Sequence, residues 1–268
     1  MSLISMACFD TIENGRTQYT KKTLKSIIST VDLKKHRLFI VNNNSCEETN
    51  EFIGKYTEHA KINDLNIYHI HNTENHGTAY AINQAWCQRK PGEHCIKIDN
   101  DIIVNDCTTW VEQLEEVVRR DPKIGQVGLK RKDCSESVYN ENTFYKSILY
   151  QLPHLPGERW VVVEKQFHVM GSCVLHSSRL LDAIGGLYQI GIYGFDDSFM
   201  SARSIKAGLM PVMLSHIDID HIDDGSNVYQ KEKEKLAGML FDNGDYLRTL
   251  QQIDSGEYYY DGIKLRKP

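Results

Sequence analysis

The segment Ile96-Lys97-Ile98-Asp99-Asn100-Asp101-Ile102-Ile103-Val104 decides how the rest of the chain is read. An apolar run stops at two carboxylates spaced i, i+2, and apolar residues then resume. In a mostly parallel sheet, a buried strand of this kind delivers its last residues to the carboxyl edge, where ligands of open α/β folds bind. Two carboxylates at such an edge repel each other unless a cation or a ligand's hydroxyls neutralise them. A divalent ion with hard oxygen ligands, bridging to phosphates, does so. The triplet alone carries little weight, since Asp218-Ile219-Asp220 is a second Asp-x-Asp. Position behind a strand is what makes the first one informative.

Outward from that segment, the first half alternates short apolar runs with amphipathic stretches, the pattern of βαβ units. Residues 3–9, 37–41, 65–70, 95–98 and 125–129 read as strands. Residues 19–31, 47–59, 78–88 and 108–120 read as helices, the last closed by Asp121-Pro122. Residues 132–158 are polar and aromatic, with Pro153, Pro156 and Gly157, and read as a long loop of the kind that is functional or mobile in a compact domain. Beyond it, 160–164 and 166–174 are predicted strands, and 177–184 is a short helix stopped by Gly185-Gly186. A helix over 195–207 ends at Gly208, and 210–214 is a strand. The charged helix over 230–240 alternates Lys231, Lys233 and Lys235 with Glu232 and Glu234, and reads as a solvated face.

Composition narrows the classes. The 268 residues suit one large α/β domain, or one domain with an appended tail, and 41% hydrophobic with 25% charged residues is ordinary for a soluble globular protein. A net charge of −5 supplies no general basic field for nucleic acid or anionic lipid. No apolar run is long enough for a transmembrane helix, so no transmembrane anchor is expected. Met1 to Asp10 lacks a basic start and reaches an acid too soon for a leader, and it reads as the first strand. Seven scattered cysteines without a CxxC pair indicate reduced thiols and a cytoplasmic protein.

Four segments then line up in order. They are Val41-Asn42-Asn43-Asn44-Ser45-Cys46-Glu47-Glu48-Thr49 and Asn75-His76-Gly77-Thr78-Ala79-Tyr80-Ala81-Ile82-Asn83, then Asp99-Asn100-Asp101, and last Gly194-Phe195-Asp196-Asp197. The last is followed by Arg203 six residues and Gly208 eleven residues after Asp197, and by His221 thirteen residues after that glycine. Together these resemble the GT-A glycosyltransferases, most closely the family-2-like inverting enzymes, over roughly residues 3 to 221. Asn42 stands where relatives often carry an acid, Asp196 where glutamate is common, and Cys8-Phe9-Asp10-Thr11 replaces their usual Pro-x-Tyr/Phe-Asn.

The resemblance implies an α/β fold of GT-A (Rossmann-like) type, a single domain with a mostly parallel central sheet flanked by helices. The domain would span 1–225, with a nucleotide-sugar half over about 1–130, an acceptor half over about 131–225, and a helical tail over 226–268. It implies metal-dependent transfer of a sugar from a nucleoside-diphosphate sugar to an acceptor hydroxyl, with inversion. Asn42, Asn75, Gly77, Asp99, Asn100 and Asp101 would bind the donor, and Asp101 with His221 would hold Mn²⁺ or Mg²⁺. Asp197 would be the general base, with Asp196 positioning it. His216 competes with His221, and Asp218, Asp220, Asp223 and Asp224 offer an alternative cation environment. Trp160 and Tyr193 are either an acceptor platform or core. The acceptor stays open between glycan, lipid-linked sugar, protein and a modified nucleic-acid base. Two other readings are a sugar nucleotidyltransferase, for which Cys8 to Arg16 is a poor phosphate loop, and a non-catalytic nucleotide-sugar or carbohydrate-binding protein.

Overall fold

Alternation along the strands sorts side chains into two cores. Strand β1 (Ser2–Cys8) gives Ile4, Met6 and Cys8 to one apolar cluster and Leu3 to the other. The first cluster also takes Leu24 and Ile27 of α1 (Thr17–Thr30), Ile53 of α2 (Glu47–Ile62), and Trp110, Leu114 and Val117 of α4 (Trp110–Arg120). The second takes Ile82 of α3 (Thr78–Trp86), Leu180 of α5 (Ser178–Ile184) and Met200 of α6 (Asp196–Lys206). The sheet therefore carries helices on both faces, as parallel strands require. The structure is a computed structural model that describes residues 1–105, 107–133, 147–223, 228–257, 259–260 and 265–266.

Strands β1, β2 (Arg37–Asn43), β3 (Ile67–Asn72) and β4 (His94–Ile98) pair in parallel. β9 (Cys173–His176) runs antiparallel between β4 and β6 (Ile124–Arg131), so β6 points the same way as the first four. β10 (Met210–His221) pairs parallel with β6, and the edge is finished by β8 (Val162–Lys165) and β7 (Ile148–Gln151). The result is a mixed α/β domain whose central sheet is mostly parallel.

Three departures from the sequence pattern shape the cleft. The apolar residues after the acid pair form a short strand, β5 (Ile102–Val104), which pairs antiparallel with the end of β10. β10 itself does not stop at Leu214: it passes an irregularity before Asp218 and runs on to His221. The expected strand over 166–174 is instead a loop, and only its end joins β9. Within it, Gly171 leaves room for its neighbours, since a Cβ there would lie 2.7 Å from the buried Lys97 ammonium and 3.2 Å from Asp197 Cβ. Of the predicted loop over 132–158, residues 134–146 lie outside the described residues, and 148–151 are strand β7.

The tail folds back. Helices α7 (Val228–Asp242) and α8 (Asp245–Ser255) bring Tyr246 into an aromatic cluster with Phe195 and Phe199, at centroid distances of 4.5 and 5.5 Å. Tyr246 is buried, so the tail is packed against the helix that carries Asp196 and Asp197. Two-residue strands β11 (Tyr259–Tyr260) and β12 (Leu265–Arg266) pair with each other.

Candidate active site

At the carboxyl edge of β1, β2 and β4 lies a cleft of about 360 Å³. Its lining includes Asn75, Gly77, Asp99, Asn100, Asp101, Asp196, Asp197 and His221. The i, i+2 spacing works as anticipated: β4 ends at Ile98, and Asp99 through Asp101 turn the chain into β5. Gly77 opens α3 at φ +85°, and a Cβ there would meet Ile192 O at 2.7 Å, so glycine is required by both conformation and packing. Asn75 Oδ1 accepts from the Gly77 N–H at 3.0 Å and from Asn43 Nδ2 at 3.1 Å, which fixes that turn.

Asn42 is not at the cleft surface. Its side chain is fully buried, accepts from Ser45 N at 2.8 Å and donates to Asn50 Oδ1, so it is consumed by the turn after β2. Asn43, one residue on, lines the cleft in its place.

The sheet-edge wall centres on Asp101. Its Oδ2 lies 2.5 Å from Arg16 Nη2 and 3.6 Å from His221 Nε2. The β5–β10 register, with His221 opposite Ile102, is what delivers the histidine. Arg131 Nη2 reaches His221 Nδ1 at 2.9 Å. Burial works to raise the Asp101 carboxyl, but the His221 hydrogen bond and the Arg16 charge outweigh it and hold it well below the usual range. His216 is elsewhere, on the protein surface 2.8 Å from Gln113 Oε1. Asp220 pairs with Lys132 at 3.0 Å and with Asn105, Asp218 is exposed, and Asp224 lies outside the described residues.

The opposite wall is the start of α6. Asp197 Oδ2 accepts from the Gly171 N–H at 3.1 Å and sits 3.2 Å from His168 Nε2, while Oδ1 accepts from the Ser198 N–H at 2.8 Å. Burial opposes ionisation of Asp197, yet the His168 charge and hydrogen bond dominate and keep its carboxyl low. His168 is raised in turn: burial pulls it down, and Asp197 pulls it up by more. Asp196 behaves oppositely. Its Oδ2 is buried without a hydrogen-bond partner, and burial pushes its carboxyl up against the nearby ammonium of Lys97 at 3.4 Å.

Lys97 joins the walls. Its Nζ lies 2.9 Å from Asp99 Oδ1, 2.9 Å from the Gly171 carbonyl and 3.4 Å from Asp196 Oδ2. Burial alone would discharge this ammonium, but Asp196 and Asp99 together raise it far above its ordinary value. Asp99 is raised as well, because withdrawal from water at the cleft floor outweighs Lys97.

Comparison with family models gives glycosyl transferase family 2, matched over residues 13–174, more than half of the chain. The chain belongs to glycosyl transferase family 2. Comparison with curated protein sequences finds no match. Among solved structures, the chain is similar to the mannosyltransferase of Pyrobaculum calidifontis in complex with GDP-Man and Mn²⁺. That likeness has 17% identity and a TM-score of 0.62, over 82% of this chain and 56% of that one. It is also similar to Staphylococcus aureus TarS 1–349 with UDP-GlcNAc, at 14% identity and TM-score 0.52, over 84% and 57%. GalNAc-T7 with UDP, GalNAc and Mn²⁺ matches at 13% identity and TM-score 0.58, over 82% and 44%. At these identities the likeness shows the fold, which is GT-A. The chain spans about half the length of these solved chains.

Within this glycosyl transferase family 2 domain, several side chains at the cleft were not singled out from sequence. Lys97 was visible in principle, as a lysine inside an apolar strand and two residues before Asp99, hence on the same face. Arg16 lay in the segment set aside as a poor phosphate loop. His168 and Gly171 had no signal, since their segment read as a strand. Lys233 lay in the helix read as solvated, yet its Nζ sits 5.3 Å from the Tyr193 ring centroid and lines the cleft. Tyr193 is therefore a cleft residue, whereas Trp160 is exposed and stacks on His154 at 4.0 Å, outside the lining. Arg203 and Gly208 serve the scaffold. Arg203 donates to the carbonyls of Gly186 and Ile184, and Gly208 takes φ +76° after α6.

Proposed function

We propose that this chain transfers a sugar from a nucleoside-diphosphate sugar to an acceptor hydroxyl, with inversion and with a divalent cation. The observation that carries the reading is the facing of two acid pairs across one cleft, Asp99 and Asp101 on the sheet edge and Asp196 and Asp197 on α6.

The cation is judged on the residues present. Asp101 Oδ2 and His221 Nε2 converge to 3.6 Å on the cleft, and a carboxylate with an imidazole suits Mn²⁺, or Mg²⁺ with more difficulty. Among the described residues no cluster of three His, Cys, Asp or Glu side chains forms a metal cage, so the remaining ligands would be diphosphate oxygens and water. Bound there, the ion would neutralise charge developing on the leaving diphosphate.

The chain's own residues do the rest. Asn75, Gly77, Asp99 and Asn100 shape the donor side, and Asn42 supports the turn beneath it. Lys233, delivered by α7, faces the acids across the cleft and offers a cation to the diphosphate; burial and Arg16 push its ammonium below the ordinary value. Asp197 takes the proton of the acceptor hydroxyl. Three donors fix its carboxylate in one orientation, so it holds a defined attack geometry while ionised. Asp196 positions Asp197 through the shared helix start and Lys97.

The nucleotidyltransferase reading has less support, because Arg16 is turned toward Asp101 and Asp223 and not held open in a phosphate loop. Retention of both acid pairs speaks against a non-catalytic module. Among the described residues no helix is long and apolar enough to cross a membrane, and a cytoplasmic setting belongs to this proposal. The test is a panel of nucleotide sugars incubated with the protein, read by mass spectrometry with and without Mn²⁺. Expected is metal-dependent release of nucleoside diphosphate from one donor or a few. Inertness toward the whole panel, or release of pyrophosphate from a nucleoside triphosphate and sugar phosphate, would sink the reading.

A further inference from the structure

The strongest cation contact at Asp101 is made by the chain itself. Arg16 has a side chain only 3% exposed, and its Nη2 bonds Asp101 Oδ2 at 2.5 Å and Asn100 Oδ1 at 3.0 Å. Its Nη1 bonds Asp223 Oδ2, and Asp223 is buried too. The Asp101 oxygen held by Arg16 is the one that faces His221. A guanidinium at contact distance and a divalent ion on that same oxygen would repel at short range in a poorly solvated site.

We propose that Arg16 is a resident counter-cation that must release Asp101, while keeping Asp223, before Asp101 and His221 can hold a divalent ion. This rests on the donor-site reading above. Two features make the exchange workable. The rigid fork of arginine has separate arms, so the Nη1 bond to Asp223 can persist while the Nη2 bond to Asp101 opens. Asp223 thus gives the guanidinium a buried partner in both states, which avoids leaving it uncompensated. In the other direction, Arg16 neutralises Asp101 beside Asp99 when no ion is held, which limits repulsion between the two carboxylates. The exchange couples ion and diphosphate: the protein alone binds the ion weakly, and the oxygens of the diphosphate tip the balance.

The test is calorimetric titration of Mn²⁺ alone into the metal-free full chain, for wild type, Arg16→Gln, Asp223→Asn and Lys233→Gln. Arg16→Gln is expected to bind Mn²⁺ at least about tenfold more tightly, since a contacting positive charge is removed. Asp223→Asn is expected to bind it more weakly, because it removes a carboxylate that draws Arg16 away from Asp101. Lys233→Gln removes a charge from the same cleft without vacating Asp101, and its gain is expected to be under about threefold. An Arg16→Gln protein that binds Mn²⁺ no better than wild type, or a Lys233→Gln protein that gains as much, overturns the exchange. Should Arg16→Gln not fold, tighter Mn²⁺ binding by Asp223→Asn overturns it equally. Donor turnover by wild type is read in parallel. Metal-dependent turnover with unchanged affinity in Arg16→Gln sinks the exchange alone, whereas inertness to every donor sinks the transfer reading.

Discussion

Asp99 and Asp101 on one wall, and Asp196 and Asp197 on the other, are two acid pairs in which one carboxyl is held low and its neighbour is pushed up. The low members have dedicated partners, Arg16 and His221 for Asp101, and His168 with two backbone N–H groups for Asp197. The raised members share one ammonium, Lys97. The walls differ in how the low member is held. Asp101 is neutralised by a guanidinium that has a second carboxylate at hand, and Asp197 is pinned in part by the backbone. One wall is built to trade its cation, and the other to keep a carboxylate still.

The largest effect separating the walls from their common support is expected at Lys97. Lys97→Met should lower stability by about 2–3 kcal/mol, because it leaves the part-buried carboxylates of Asp99 and Asp196 without their cation, with solvent at Asp99 offsetting part of the cost. Urea unfolding at neutral pH checks this. A smaller loss at acid pH is expected, since Asp99 and Asp196, whose carboxyls are raised, then become neutral. A loss below about 1 kcal/mol at neutral pH would mean that the walls do not depend on Lys97.

Next in size is Lys233, which the tail brings to the cleft. Lys233→Met should weaken binding of the nucleoside diphosphate by about tenfold, or about 1.4 kcal/mol, while leaving the nucleoside unaffected. Fluorescence or calorimetric titration with both ligands distinguishes the two. Equal weakening for nucleoside and diphosphate would place Lys233 in general packing.

The smallest effect concerns pH. The folded pKa of His168 is raised, so the stability it contributes is full below the unfolded value of 6.5 and is lost as pH rises through the folded value. Asp197 is lowered, so its contribution is present above 3.8 and is lost as pH falls through the folded value. His168→Gln should therefore cost most stability between those limits and least at alkaline pH, as followed by thermal melting. In turnover, loss of the His168 charge should move the acid limb of the kcat–pH profile upward, because Asp197 then holds its proton more readily. An unmoved limb would separate His168 from the base.

Much of the fold was legible because burial follows period. The parallel strands β1 to β4 and the helices between them read directly from apolar alternation and amphipathic spacing, and Asp99 and Asp101 were found by their place behind β4. What was not legible depends on pairings far apart in sequence. β5 is a strand only because the end of β10 lies beside it, and that same pairing brings His221 to Asp101. The loop over 166–172 places Gly171 against Lys97 and Asp197, a long-range contact that no local pattern announces. Asn42 was chosen from motif position, and the turn after β2 consumes its amide. The helix over 230–240 looked solvated because its charges alternate, although Lys233 lines the cleft from it.

The division of labour between the walls is tested most directly by measuring nucleoside-diphosphate binding with Mn²⁺ and single-turnover transfer on Asp101→Asn and Asp197→Asn side by side. The expected result is that Asp101→Asn loses metal-dependent diphosphate binding, while Asp197→Asn binds as wild type and loses about 10² to 10⁴ in kcat. The contradicting result is the reverse, with Asp197→Asn weakening diphosphate binding tenfold at unchanged kcat and Asp101→Asn binding normally.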